Sequence, residues 1–375
     1  MKKITVSKSE LSSKLSSISK IIQAKNSLPI LNSFLFEVDS LGLLKVTAGE
    51  EGGMISTNVE CQCDFTDLSF TIDASTLLNG CKEIPEQPLI FDIEKKDQYL
   101  EICVHYSNGK FELVGGKADE YPKLKLDTPE APFVLKAQDF LYGIRQAQIC
   151  ASNSDLRPVM QGVFMDKESD RFTYVASDGA TLGMVEDPIQ SIGRSSFIIP
   201  EKITRVLSKV IPSDCEQVSI TVSNVNVMFD FDCYRLICRM IDGRYPNYRS
   251  VIPTNNNKKA TFVRADLISA LKRVSVFCST SSSLVVMNFD NDKLTLSGCD
   301  TDFSTSAEEE VSITYSGDPI KIGFKSSTLI DLLSNIPSSE AIITMTDPSR
   351  AGIIRRSDED KEGLTYLIMP MVINN

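Results

Sequence analysis

The chain is poor in the residue types from which common active sites are built. Of its 375 residues a single one is histidine, His105, in the strand-like run Tyr99-Leu100-Glu101-Ile102-Cys103-Val104-His105-Tyr106. A histidine triad, metal cluster or proton shuttle would have to rest on that one residue, so a sheet-surface histidine is the simpler reading. A P-loop, a dinucleotide glycine fingerprint and a Gly-x-Ser-x-Gly elbow are all missing. No apolar run approaches the roughly 20 residues that cross a bilayer, and no membrane partner is expected. The opening Met1-Lys2-Lys3-Ile4-Thr5-Val6 enters an alternating strand and does not read as a signal peptide. Ten cysteines in that setting are expected to be reduced, mostly buried thiols of a cytoplasm. Cys61 and Cys63 share a strand face, but no second pair lies at ligand spacing, so neither metal nor cofactor is expected.

What is present is repetition. A short helix runs into Ile-Pro three times, at Ile84-Pro85, Ile211-Pro212 and Ile336-Pro337, with the prolines 127 and 125 residues apart. An acid precedes an apolar helix at Glu10-Leu11, Asp139-Phe140 and Asp266-Leu267, at spacings of 129 and 127. Tyr121-Pro122, Tyr245-Pro246 and Met369-Pro370 follow at intervals of 124. Three unrelated markers at one period imply three domains, at 1–126, 130–253 and 259–375. The segments Asp127–Pro132 and Pro253–Lys259 are short, polar and turn-forming, as linkers should be.

Each domain halves again. In the first, a strand at 4–6 and a helix at 10–22 precede strands at 34–38, 43–47 and 54–61. That order recurs as strand 70–73, helix 76–84, and strands 89–93, 99–104 and 110–114. Leu11, Leu15, Ile18 and Ile22 give the first helix its apolar stripe. The chain is an α+β protein of six strand–helix–three-strand units, and its terminal sheet edges close most simply against a second copy.

The net charge of −11 argues against a nucleic-acid partner until its distribution is considered. The helices carry Lys14, Lys20, Lys82, Arg145, Lys202, Arg205, Lys209, Lys272 and Arg273, whereas Glu10, Asp139, Glu201 and Asp266 sit at helix N-termini, which favour acids. Surplus acid falls on strands and loops such as Glu50-Glu51, Glu308-Glu309-Glu310 and Asp358-Glu359-Asp360. Twelve helices at roughly 10 Å spacing would make a ring about 38 Å across at their axes. Subtracting roughly 10 Å of helix thickness leaves about 28 Å, enough for a duplex bound through its backbone without regard to sequence.

Leu28-Pro29-Ile30-Leu31, Ser177-Asp178-Gly179-Ala180-Thr181-Leu182 and Asp242-Gly243-Arg244-Tyr245-Pro246-Asn247-Tyr248 stand in the order and positions of a known family. Thr314-Tyr315-Ser316-Gly317 and the ending Tyr366-Leu367-Ile368-Met369-Pro370-Met371 continue the match. Over its whole length the chain resembles the bacterial DNA polymerase III beta subunits, the sliding clamps. The resemblance implies the DNA clamp fold, closed as a head-to-tail homodimeric ring with helices lining the hole, and a processivity subunit without a catalytic site. It implies double-stranded DNA, the replicative polymerase alpha subunit, the clamp loader delta subunit and other clamp-binding-motif proteins as partners, in a bacterial cytoplasm at the nucleoid.

Carried over by motif, a partner-peptide cleft would use Met160, Ser177, Gly179, Leu182, Pro246, Val251, Leu367, Met369, Pro370 and Met371. Lys25 matches a DNA-contacting basic position, and Arg157 sits where some members place tyrosines against DNA. With the helix cations Lys82, Lys202 and Arg205 these form the candidate DNA contacts. Phe111 and Phe277 are the candidates at the dimer interface. The chain departs from many members in having Ala180-Thr181 for His-Arg and Ser250 for an arginine. The alternative is a repeat-built protein-binding scaffold that never encircles DNA. A carboxylate hydrolase using Asp178 or Asp300 is disfavoured, because those acids occupy corresponding strand-to-turn positions of different repeats.

Overall fold

The computed structural model describes residues 2–39, 42–63, 65–97, 99–189, 194–357 and 363–373; the acidic run 358–360 lies outside them. Among the described residues, 26 strands alternate with six α-helices: α1 Lys8–Ile18, α2 Ala74–Lys82, α3 Ala137–Gln148, α4 Glu201–Val210, α5 Arg264–Ser275 and α6 Ser326–Asn335. The six-fold strand–helix–three-strand plan is present throughout. Two three-residue strands, Cys61–Cys63 and Thr314–Ser316, are added at matching places in the first and third repeats.

Local chemistry sets the helix ends. Ser7 caps α1 by accepting from the Glu10 amide at 3.3 Å, and Asp73 caps α2 by accepting from Thr76 at 2.8 Å. Glu10, Asp139, Glu201 and Asp266 all fall in first turns, where the helix dipole favours them. Leu11, Leu15 and Ile18 are buried as the stripe requires. The helix then tightens to a 3-10 turn over Ser19–Ile21, so the next buried residue is Ile21 and not Ile22. Three residues per turn replace 3.6, which moves the inward position back by one. Two further expectations need correction. The strand read over 54–61 is two strands, Gly53–Val59 and Cys61–Cys63, and the linker read as ending at Lys259 already belongs to strand Lys258–Val263 from Lys258 onward.

Residue contacts divide the chain into two units, residues 1–141 with 202–240, and residues 142–201 with 241–375. The division cuts through the central repeat. In the first unit one 13-stranded sheet is continuous, because Gly53–Val59 pairs antiparallel with Tyr234–Arg239, from Cys238 opposite Gly53 to Tyr234 opposite Thr57. Helix α4 reaches that sheet at Gly53, where a β-carbon would stand 2.6 Å from Ile203 Cδ1; glycine permits the approach. The second unit holds a nine-stranded and a four-stranded sheet. In the nine-stranded one, Thr181–Pro188 pairs with Thr365–Ile368, splicing the central repeat to the last.

The cysteines are less buried than expected. All ten are free, but only Cys81, Cys150, Cys238 and Cys278 are buried, and Cys233 and Cys299 are exposed. Strand pleating turns Cys103 and Cys299 away from the core, while Cys215 and Cys233 lie outside the strands.

Candidate functional site

Gly179, at φ +92°, forms the tight turn from which Leu182 enters its strand. Ser177 Oγ braces the turn by donating to the Thr181 carbonyl at 2.6 Å and accepting from the Gly179 amide at 3.1 Å. Leu182 then lies opposite Leu367 on the neighbouring strand. Both join a cluster with Val175, Met184, Tyr245 and Tyr248, and they are 2% and 4% exposed. They are core residues that support a surface and do not form it. Met160 is also buried, and Ser177 is partly so.

The surface is made by others. Val251 is 55% and Met369 42% exposed, Pro246 and Gly179 are exposed, and Pro370 and Met371 are half-buried. The last strand ends at Ile368, before Pro370, which has no N–H to donate. Beyond it Met369 donates to the Ala180 carbonyl at 2.8 Å and Met371 to that of Gly323 at 2.8 Å. Pro370 and Met371 line a recess of about 420 Å³ with Asp347, Pro348 and Ser349; neither Leu182 nor Val251 lines it. Sequence reasoning missed the aromatic support. Phe164 stacks on Tyr245 with ring centroids 4.8 Å apart, and Tyr248 donates to Asp166 at 3.0 Å. Burial pushes both tyrosine hydroxyls well above the usual phenol range. The recurring Tyr-Pro marker was the available signal. Arg249, next to Ser250, is held by Glu186 at 2.8 Å and by the Tyr248 ring at 5.1 Å.

The helix cations are more committed than their count suggests. Lys14 pairs with Glu10 at 2.6 Å, Arg273 bonds Glu309 at 2.9 Å, and Lys82 lies 4.0 Å from Glu83. Lys202 reaches Glu50 Oε2 at 2.5 Å. Glu50 lies at the end of strand Leu44–Glu50 and is only 2% exposed; Gln23 Nε2, at 2.6 Å, and the Gly52 amide also donate to it. A buried carboxylate needs such partners because it has lost its water. Through Glu50 the segment carrying Lys25 is brought to α4, and Lys20 Nζ donates to the Lys209 carbonyl at 2.7 Å. Lys25, Arg205 and Lys209 are exposed there, so the first unit does gather cations along α4. Arg157 stands elsewhere: its Nη1 is 3.0 Å from where a β-carbon on Gly179 would be, beside the cleft candidates.

Family models of the DNA polymerase III beta subunit match in succession, the N-terminal domain over residues 2–125, the central domain over 134–247 and the C-terminal domain over 249–372. The chain belongs to the DNA polymerase III beta subunit family. The beta sliding clamp of Vibrio cholerae is 23% identical over 370 residues, 98% of this chain and 99% of that one. That of Synechocystis is 26% identical over 400 residues, with both chains fully covered. Among solved structures, a Pseudomonas aeruginosa DNA polymerase sliding clamp aligns with a TM-score of 0.91 at 22% identity, covering all of both chains. The Thermotoga maritima DNA polymerase III beta subunit gives 0.90 at 22%, also over both whole chains. The fold is the three-domain DNA clamp fold.

The acids that a carboxylate hydrolase would use, and the single histidine, have structural partners. Asp178 accepts from the Ala180 and Thr181 amides at 2.8 and 2.6 Å, and Asp300 from those of Asp302 and Phe303 at 3.0 and 3.3 Å. Both are turn-forming aspartates. His105 lies on its sheet surface, Nε2 3.2 Å from Asp92 Oδ2. No group of three or more potential metal ligands occurs among the described residues, and no helix there is long and apolar enough to cross a membrane.

The two phenylalanines lie in different units of the beta subunit. Phe111, half-buried on strand Gly109–Lys117, packs over Gly80 of α2 and near Tyr106, centroids 6.4 Å apart. That strand pairs with Leu68–Asp73 only at Gly116 and Lys117, leaving its earlier residues as an edge. Phe277 follows α5 and is 40% exposed, beside the more exposed Val276. In the same unit Thr305–Ser312 is the edge of the four-stranded sheet.

Proposed function

We propose that the chain closes head to tail with a second copy around duplex DNA and tethers the replicative polymerase to it. The chain is a sliding clamp and a processivity subunit, not a catalyst. The observation carrying this reading is the succession of three beta subunit domain matches, over residues 2–125, 134–247 and 249–372. The domains run over 1–126, 130–253 and 259–375. Phe111, on a strand whose earlier residues form an edge, and Phe277, just past α5, form the dimer contact. Lys25, Lys82, Arg157, Lys202 and Arg205 face the phosphates, with Lys202 also holding Glu50. Polymerase alpha subunit, clamp loader delta subunit and other motif-bearing proteins dock at the surface of Val251, Pro246, Met369, Pro370 and Met371. Gly179 is exposed on that surface, and Met160, Ser177, Leu182 and Leu367 support it. The setting is a bacterial cytoplasm, at the nucleoid.

Enclosure has a topological signature. Loaded protein should persist on circular DNA, leave linear DNA through open ends, and remain when those ends are blocked. Equal lifetimes on open and blocked linear DNA would favour the scaffold reading.

A further inference from the structure

The repeat duplicates the sheet face beneath the cleft. In the second unit Phe164, Val175, Met184 and Thr365 stand side by side on four adjacent strands, with Leu182 opposite Leu367 one pleat further. In the first unit Leu35, Thr47, Ser56 and Arg235 occupy the same register, with Met54 opposite Ile237. The segment Pro122–Leu126, which follows Tyr121 as Pro246 follows Tyr245, lines this second face together with Met228 and encloses about 490 Å³ with it.

The two copies differ in chemistry. The face in the first unit keeps an apolar floor of Leu35, Met54, Met228 and Ile237, but its rim carries Lys45, Lys123, Lys125 and Arg235. Lys123 is held by Glu37 at 3.0 Å and Arg235 by Asp230 at 2.6 Å. Lys45 and Lys125 are exposed and have no ion-pair partner among the described residues. On a chain of net charge −11, such a concentration of cations around an apolar floor is complementary to one kind of ligand. A phosphate or nucleic-acid strand would gain nothing from the floor, whereas an acidic peptide with an apolar side chain uses both floor and rim.

We propose that this groove is a second peptide-docking site, taking an extended acidic segment of a partner protein. A leucine- or phenylalanine-sized side chain fills the floor, and flanking carboxylates meet Lys45 and Lys125. The selection is electrostatic, so binding weakens with salt. The site is independent of the cleft in the second unit.

The test uses the full chain and a fluorescein-labelled peptide, Glu-Asp-Leu-Phe-Asp-Glu, followed by anisotropy. Binding should weaken at least about ten-fold in the double variant Lys45→Glu, Lys125→Glu and in the floor variant Ile237→Ala. It should be unchanged in Val251→Glu, Met369→Glu, and it should fall when the peptide acids become amides. Thermal melts confirm that each variant is folded. The proposal is overturned if the Lys45, Lys125 variant binds like the parent, or if only the Val251, Met369 variant loses the peptide. It is also overturned if oligothymidylate displaces the peptide with the same dependence on Lys45 and Lys125.

Discussion

Lys202 and Glu50, 152 residues apart in the chain, form an ion pair in which the lysine is half in water and the carboxylate almost wholly out of it. Removing the lysine strands the acid, although Gln23 and Gly52 still serve it. Lys202→Met should lower unfolding stability by about 1–3 kcal/mol, discounted for the exposed lysine end. Lys202→Glu should cost more, because two carboxylates would then compete for the same donors. Urea unfolding measures both; parent-like midpoints would show that the pair is not formed in solution. Charge reversal for a DNA-binding test belongs instead at Lys25 and Arg205, where weaker DNA retention with an intact dimer is expected.

Light scattering at micromolar concentration should give twice the chain mass. Phe277→Ala should shift the protein toward monomer without lowering its melting temperature greatly, since this residue is already 40% exposed. A monomeric parent would remove the ring.

Cleft variants should separate by burial. Val251→Ala and Met369→Ala should each cost roughly 1 kcal/mol of affinity for a polymerase-tail peptide, the scale of lost apolar contact. Leu182→Ala should instead cost about 2–5 kcal/mol of folding stability, because it opens a cavity under the surface. Peptide titration and urea unfolding on the same samples would reveal a reversed pattern.

Alkali should destabilise the fold through its buried thiols. Burial pushes Cys81 up to about 11 and Cys150 up to about 12, above the ordinary thiol value. A pKa raised on folding gives stability that is full below the unfolded value and is lost as pH rises toward the folded one. The melting temperature should therefore fall from about pH 8.5 to about pH 11, and less steeply in Cys150→Ala. An identical slope in that variant would exclude the Cys150 thiol as a contributor.

The repeats, the helix starts and the six-fold plan were legible because they rest on local signals: a period, a cap, an acid in a first turn. Leu367 shows where such reading stops. Its place in the terminal motif could be seen, but its burial depends on pairing with Leu182, 185 positions away. Glu50 could be placed on a strand, but its burial could not be read, since nothing near it in sequence announces Lys202 or Gln23. Tyr245 and Tyr248 belong to a visible motif, but only the packing shows the one stacked on Phe164 and the other bonded to Asp166.

The pairing of Gly53–Val59 with Tyr234–Arg239 means that the segment copied in the gene and the segment that melts are not the same piece. A fragment containing only the first repeat would present the edge of Gly53–Val59 bare, ready to join strands of other molecules. In the whole chain, amide hydrogens of those two strands should exchange at a common rate, as parts of one cooperative unit that ignores the repeat boundary between them.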